Sequence, residues 1–284
     1  MKRNFSILII CFLAFTQLAK AQEPKIPASS SSQRIEQDFA LGHITLDYSR
    51  PNVKGRKIFG YMEPYGLVWR TGANSATIFK ITDTIMMEGH QVLPGEYGLF
   101  SIPGTTKWTI ILNKVSKQWG AYTYDKKQDV LRFDVKALHL PNKVETLTFQ
   151  FNNVDIESCD MQMTWENTGF NIHLKTNINA RVVANIETLL KGEKKPYYTA
   201  AVWYYNHNYK LADALRFMKE MDKQQPNAYN IKYWLGRISV KMGNKAEGIA
   251  YAKEGLKLAQ AEPNAEYIRM NKEVLQSAGV KATK

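Results

Sequence analysis

MQMTWENTGFNIHLKTNINARVVANIETLLK, residues 161–191, contains a change of period. Up to Leu174 the apolar positions alternate: Met161, Met163 and Trp165, then Phe170, Ile172 and Leu174, with Gln162, Thr164, Asn171 and His173 between them. Period two describes strands with one buried and one solvated face. From Ile178 to Lys191 the apolar residues recur at helical spacing, and Gly192 and Pro196 stop the run. The junction therefore separates a β-rich part from a helical part, and the chain reads as α+β.

Working toward the N-terminus, the same alternation recurs back to about residue 43. His43 to Tyr48 alternate, as do Leu131, Phe133 and Val135, and then Leu147, Phe149 and Phe151. Glu88-Gly89-His90 reads as a hairpin turn, and Leu93-Pro94-Gly95-Glu96 and Pro103-Gly104-Thr105 as further turns. Around ten short strands with close turn signals predict an antiparallel β-sandwich or jelly-roll-like domain over 38–177. Toward the C-terminus, helical patterns follow at about 197–206, 209–224, 228–242, 245–260 and 264–277. Ala212-Asp213-Ala214-Leu215 aligns with Ala246-Glu247-Gly248-Ile249 at an offset of about 34, the period of tetratricopeptide units. Residues 178–284 thus read as a tetratricopeptide-like helical domain, a surface on which a protein partner would dock.

The first 21 residues carry a basic pair, Lys2-Arg3, an apolar run from Phe5 to Leu18, and Ala19-Lys20-Ala21 as a small-x-small site. This is the pattern of a secretory signal peptide cut near Ala21-Gln22, and it predicts an exported protein, periplasmic or secreted. The apolar run is short for a membrane span, and no later run is long enough. Pro- and Ser-rich residues 22–37 read as a flexible leader. Of the two cysteines only Cys159 follows the expected cleavage point, so no intramolecular disulfide forms. Asp155, Glu157 and Asp160 around it would raise its pKa, against a nucleophilic role.

The net charge of +12 is unevenly divided. Residues 22–177 carry 17 Lys and Arg against 16 Asp and Glu; residues 178–284 carry 18 against 10. The excess is spread through the helices, which suits a solvated helical face better than a nucleic-acid site. Against that near-neutral β-part, residues 50–74, RPNVKGRKIFGYMEPYGLVWRTGAN, concentrate Arg50, Lys54, Arg56, Lys57 and Arg70 among Gly, Pro and aromatic residues. Guanidinium groups here would grip a carboxylate, phosphate or sulfated sugar, and aromatic faces would stack on sugar rings. The candidate ligand-binding set is Arg50, Lys54, Arg56, Trp69, Arg70, Asn74, Trp119 and Tyr122. The competing reading pairs Arg50 and Arg56 with Asp47 or Glu63 and buries Trp69, Trp108 and Trp119 in the core. Gly72 is expected to supply an unusual backbone angle in the turn before Asn74.

No catalytic residue or metal set is assigned. The five histidines (His43, His90, His139, His173, His207) lack metal-binding spacing, and no nucleophile motif or phosphate loop occurs. Asp47, Glu63, Glu96, Asp125 and Asp129 are available as acids, but nothing in the sequence pairs them. No cofactor is implied.

Several blocks resemble the DUF2911 family: Tyr48-Ser49-Arg50-Pro51, Lys54-Gly55-Arg56, Ile58-Phe59-Gly60, Pro64-Tyr65-Gly66, and Val68-Trp69-Arg70-Thr71-Gly72-Ala73-Asn74-Ser75-Ala76-Thr77. Leu93-Pro94-Gly95, Tyr97-Gly98-Leu99-Phe100, Trp108-Thr109 with Asn113, Trp119-Gly120-Ala121-Tyr122 and Asp129-Val130-Leu131-Arg132 also match, as do Lys195-Pro196-Tyr197-Tyr198 and Tyr267-Ile268-Arg269-Met270-Asn271 in the tail. The resemblance implies an exported protein of the Bacteroidetes type and no particular activity. Three functions compete: a non-enzymatic envelope module binding a small anionic or glycan ligand with a partner-docking tail, an envelope hydrolase acting on glycan or peptide, and a structural scaffold.

Overall fold

A computed structural model describes residues 26–280. The expected signal peptide and its cleavage point lie outside the described residues. The chain divides into two compact units, one running to Thr176 and the other from Asn177.

Among the described residues the first unit holds nine strands: β1 (Ser31–Phe39), β2 (Gly42–Arg50), β3 (Thr77–Ile81), β4 (Ile85–Met87), β5 (His90–Val92), β6 (Gly95–Ile102), β7 (Lys107–Asn113), β8 (Asp129–Asn152) and β9 (Ser158–Lys175). They form one antiparallel sheet in the order β1-β2-β3-β6-β7-β8-β9-β4-β5. The β4–β5 hairpin leaves its sequence neighbours and adds to the far side of β9. Its two-residue turn, Glu88-Gly89, has φ of 47° and 81°, the double positive φ of a hairpin that follows strand twist.

Two long strands replace four expected short ones. The runs at 131–135 and 147–151 are both in β8, 24 residues long, and those at 161–165 and 170–174 are both in β9. Near its start β8 pairs with β7, and from Ala137 onward it pairs with β9, with register shifts around Val144. The sheet thereby folds over on itself. Asn52 bridges Thr146, the rings of Tyr48 and Phe149 meet edge-on at 4.9 Å, and Phe149 N–H donates to Tyr48 Oη at 3.1 Å.

Residues 31–37, read as flexible leader, belong instead to β1, which pairs in register with β2 from Ser31–Arg50 to Phe39–Gly42. β1 is an edge strand, so its Ser, Gln and Arg composition suits the solvated side. Arg34 joins Asp47 through two hydrogen bonds, at 2.6 and 2.8 Å. Its buried side offers only Ile35 and Phe39 as apolar signals.

Inside the fold lies one aromatic-rich core. Phe59 packs edge-on to Trp69, Trp108 and Trp165 at 4.9 to 5.7 Å, and Trp69 stacks on Trp165 at 5.9 Å with an interplanar angle of 15°. Cys159 is fully buried in the same core, and burial first, then Asp160, pushes its thiol up to about 11. A smaller apolar group, Ala76, Phe100 and Ile111, lies under Ala121 and Tyr124 of the β7–β8 loop.

The second unit contains α1 (Asn179–Leu189), α2 (Tyr197–Asn206), α3 (Leu211–Gln224), α4 (Tyr229–Lys241), α5 (Lys245–Ala261) and α6 (Ala265–Ser277). Successive helices from α2 onward pack on one another. Close approach of α4 and α5 requires glycine: a Cβ on Gly248 would stand 2.5 Å from Val240 Cγ2 and 2.9 Å from Gly236 O. No helix among the described residues is long and apolar enough to cross a membrane.

Gly169 pairs with Leu138 next to the irregular stretch of the β8–β9 ladder. A Cβ there would meet Met163 O at 2.0 Å, and that atom is backbone with nowhere to yield. Gly169→Ala is expected to destabilise the protein by roughly 2 kcal/mol or more. A melting temperature equal to wild type would contradict this close approach.

Candidate functional site

The crossover from β2 to β3, residues 51–76, has no regular strand or helix and is held by side-chain contacts to backbone. The Glu145 carboxylate accepts from Lys54 N–H at 2.7 Å. The Glu166 carboxylate accepts from the N–H groups of Ile58 and Phe59 at 3.3 and 3.2 Å. Arg50 reaches Leu147 O at 3.0 Å and Thr148 Oγ1 at 2.8 Å. Arg56 curls back on its own turn, donating to Val53 O at 2.9 Å and Asn52 O at 2.6 Å. Carboxylates thus hold backbone N–H groups, and arginines hold carbonyls. Among the described residues neither Arg50 nor Arg56 forms an ion pair, so the expected pairing with Asp47 or Glu63 is not what holds them.

A cavity of about 350 Å3 lies against this crossover, within the size range of small-molecule sites. Of the predicted set, Lys54, Arg56, Arg70 and Asn74 line it, joined chiefly by Glu63, Asn52, Met62, Ser30 and Trp165. The other four do not. Arg50 is spent bracing β8. Trp69 is 3% exposed, stacked on Trp165 in the core, with its indole N–H on Gly72 O at 3.1 Å. Trp119 and Tyr122 are exposed at 65% and 83% on the β7–β8 loop, so Trp119 fills no core either, whereas Trp69 and Trp108 do. Asn74 anchors the rim: its Nδ2 donates to Ser30 O at 3.1 Å and Ser49 Oγ at 3.2 Å. The turn before it takes its unusual angles from Thr71 (φ 51°) and Asn74 (φ 59°) rather than from Gly72. Gly72 answers a different constraint, because its added Cβ would come within 3.0 Å of Thr77 Oγ1.

Arg70 and Glu63 give the cavity its chemistry. The Nε of Arg70 is buried and has no hydrogen-bond partner among the described residues, a costly condition for a guanidinium nitrogen. Burial pushes the Glu63 carboxyl up to about 7, although nearby Arg70 and Trp69 pull it down. Desolvation therefore outweighs the attraction of the cation, and Arg70 forms no ion pair with Glu63 among the described residues. With Glu63 ionised the lining carries three cations and one carboxylate; once Glu63 is protonated it carries three cations alone.

The sequence names the cations of this cavity, and gives Glu63 as an available acid and as a pairing partner for Arg50 or Arg56, not as a partly buried carboxyl beside Arg70. Its signal was present in Tyr61-Met62-Glu63-Pro64: an acid seven residues before Arg70 among apolar neighbours. Trp165 and Ser30 come from distant parts of the chain and carried no local signal. A separate exposed group, Glu36, Asp38 and His43, brings three potential ligand atoms within 4.8 Å of one another where β1 meets β2. Its exposure makes it an ordinary polar surface.

Residues 30–174 match the model of a family described as a protein of unknown function (DUF2911). No curated protein and no solved structure matches the chain.

The Glu63 shift fixes a sign for stability. The folded state holds its proton up to about 7, while the unfolded carboxyl releases it near its ordinary value of 4.5. Stability is full below 4.5 and falls as pH rises through 7, by on the order of 2 kcal/mol after solvent screening. Chemical denaturation of wild type and Glu63→Gln at pH 5 and pH 8 checks this. The variant should lose that component of the fall, and identical slopes would remove Glu63 as its source.

Proposed function

The family match spans half of the chain, so this protein belongs to the DUF2911 family, and from its cavity we propose a non-enzymatic binding module that captures a small anion. The observation that carries the reading is Arg70: a guanidinium with a buried, unpartnered Nε on a cavity it shares with Lys54 and Arg56. The two arginines differ in role. Arg56 already spends two N–H groups on carbonyls and contributes mainly field. Arg70 retains donors for a ligand oxygen. Glu63 couples capture to protonation: a bound anion favours the neutral carboxyl, and a neutral carboxyl donates a hydrogen bond where the carboxylate would repel.

A glycan ligand fits this reading when it carries the charge itself, as a uronic acid does. The exposed aromatic residues, Trp119 and Tyr122, lie outside the cavity lining, so sugar stacking adds less support than the cations do. The hydrolase alternative is weaker, because glycoside hydrolysis takes two carboxyl groups and Glu63 is the one carboxyl among the cavity's described lining residues. Export rests on the Lys2-Arg3 pair, the apolar run to Leu18 and the Ala19-Lys20-Ala21 site. A tetratricopeptide-like role for the helical unit, docking a partner, rests on the recurrence of about 34 residues and the serial packing of α2 to α6.

Calorimetric titration of the protein with glucuronate, inorganic phosphate and glucose tests the proposal. The two anions should bind and glucose, close in size to glucuronate but uncharged, should not. Arg70→Gln should weaken anion binding about tenfold or more. Binding should tighten from pH 8 to pH 6, and Glu63→Gln should flatten that dependence. Equal binding of glucose and glucuronate would refute anion capture.

A further inference from the structure

A second cavity, of about 380 Å3, opens in the helical unit between the C-terminal end of α2, the latter part of α4, and α6. Its polar wall holds two cations, Arg237 and Lys241, the hydroxyls of Tyr205, Tyr233 and Ser277, and one carboxylate, Glu273. Arg237 Nε donates to Tyr205 Oη at 3.1 Å and Nη1 to Tyr233 Oη at 2.7 Å. The guanidinium also lies over the rings of Tyr205, Trp234 and Tyr233, at 4.6, 5.2 and 5.5 Å. Lys241 is one helical turn on, 4.4 Å above the Tyr205 ring, with Nζ donating to Tyr205 O at 2.7 Å.

Each phenol oxygen accepts from Arg237, which leaves its own O–H to donate. Among the described residues no acceptor is found for either phenol O–H, and neither Arg237 nor Lys241 forms an ion pair. The single carboxylate of the lining, Glu273, is engaged by Arg269 at 2.6 Å. Nη2 and the second hydrogen of Nη1 make no hydrogen bond among the described residues, and guanidinium N–H groups suit an acceptor with two oxygens. Val240, Met270 and Val274 supply the apolar part of the lining.

We propose that this cavity binds a carboxylate carrying a short apolar group, either a free acid or the C-terminal residue of a polypeptide. The carboxylate takes the remaining N–H groups of Arg237 and the two phenol hydrogens, and the apolar group lies against Met270, Val240 and Val274. Stacking on three aromatic faces holds Arg237 in place without neutralising it, so the site keeps its charge for the ligand. This inference does not rest on the anion cavity of the β-unit.

The test titrates the full chain with hexanoate and with a short peptide ending in Leu, supplied as free acid and as C-terminal amide. Both acids should bind, and the amide should bind about tenfold or more weakly. The titrations are run in an Arg70→Gln background, which removes capture of these acids by the β-unit cavity; there Arg237→Gln and the cavity-filling Met270→Trp should each weaken the acids by a similar factor. If Arg237→Gln melts early, Lys241→Gln, at an exposed position, gives the same reading with a smaller loss. Preference for the peptide identifies a chain terminus as the source, and preference for hexanoate identifies a free acid; both support the site. Equal binding of acid and amide, wild-type affinity in the folded variants, or no binding of either acid at about 10 mM overturns it.

Discussion

Trp69 stacks on Trp165 at 5.9 Å, and the β2–β3 crossover depends on that contact. A connection of this length without regular structure is unusual in a compact domain. Here it is fixed because one of its own rings enters the core and packs with Phe59, Trp108 and Trp165. Burial of two indoles offsets the entropy of ordering the loop, and aromatic geometry adds to it. With Trp69 anchored, its neighbour Arg70 must turn the other way, toward the cavity, and Thr71 and Asn74 take the left-handed angles that complete the turn.

The electrostatics of the crossover follow from which groups were paired. Acids on β8 and β9, Glu145 and Glu166, satisfy N–H groups of the loop, while Arg50 and Arg56 satisfy carbonyls. Each of these contacts uses hydrogen-bonding capacity without cancelling charge locally. A loop built of ion pairs would have been neutral and closed. This one keeps a positive face even though its unit as a whole is nearly neutral by composition.

Much of this was legible in the sequence, for reasons that differ by element. The change of period near 177 is a local property, so the division between strands and helices could be read directly. Strand continuity could not: Pro141-Asn142-Lys143 interrupts the alternation between the runs at 131–135 and 147–151, yet β8 carries through it by changing partner from β7 to β9. β1 was missed because an edge strand needs few apolar residues. In the cavity, Lys54, Arg56, Arg70 and Asn74 were legible because they are close in sequence. Trp69 and Trp119, grouped together in both readings, part company: the indole next to Arg70 is core, and the one on the later loop is solvated. Which tryptophan enters the core is decided by the fold-over of β8 and β9, and no local pattern encodes that. The pKa of Glu63 depends on burial created by the same fold-over.

The join between the two ends of the sheet has a consequence for the order of assembly. Asn52 waits for Thr146, Tyr48 for Phe149, and Trp69 for Trp165. Contacts of such long sequence separation close late, because the loop entropy must be overcome before they return any stabilisation. As the chain emerges from the ribosome, β2 and the cationic crossover therefore exist for the whole synthesis of β3 to β9 without the wall that shapes them. The cavity beside Arg70 is among the last features of its unit to form, and an N-terminal fragment that stops short of β9 carries the cations but not the cavity.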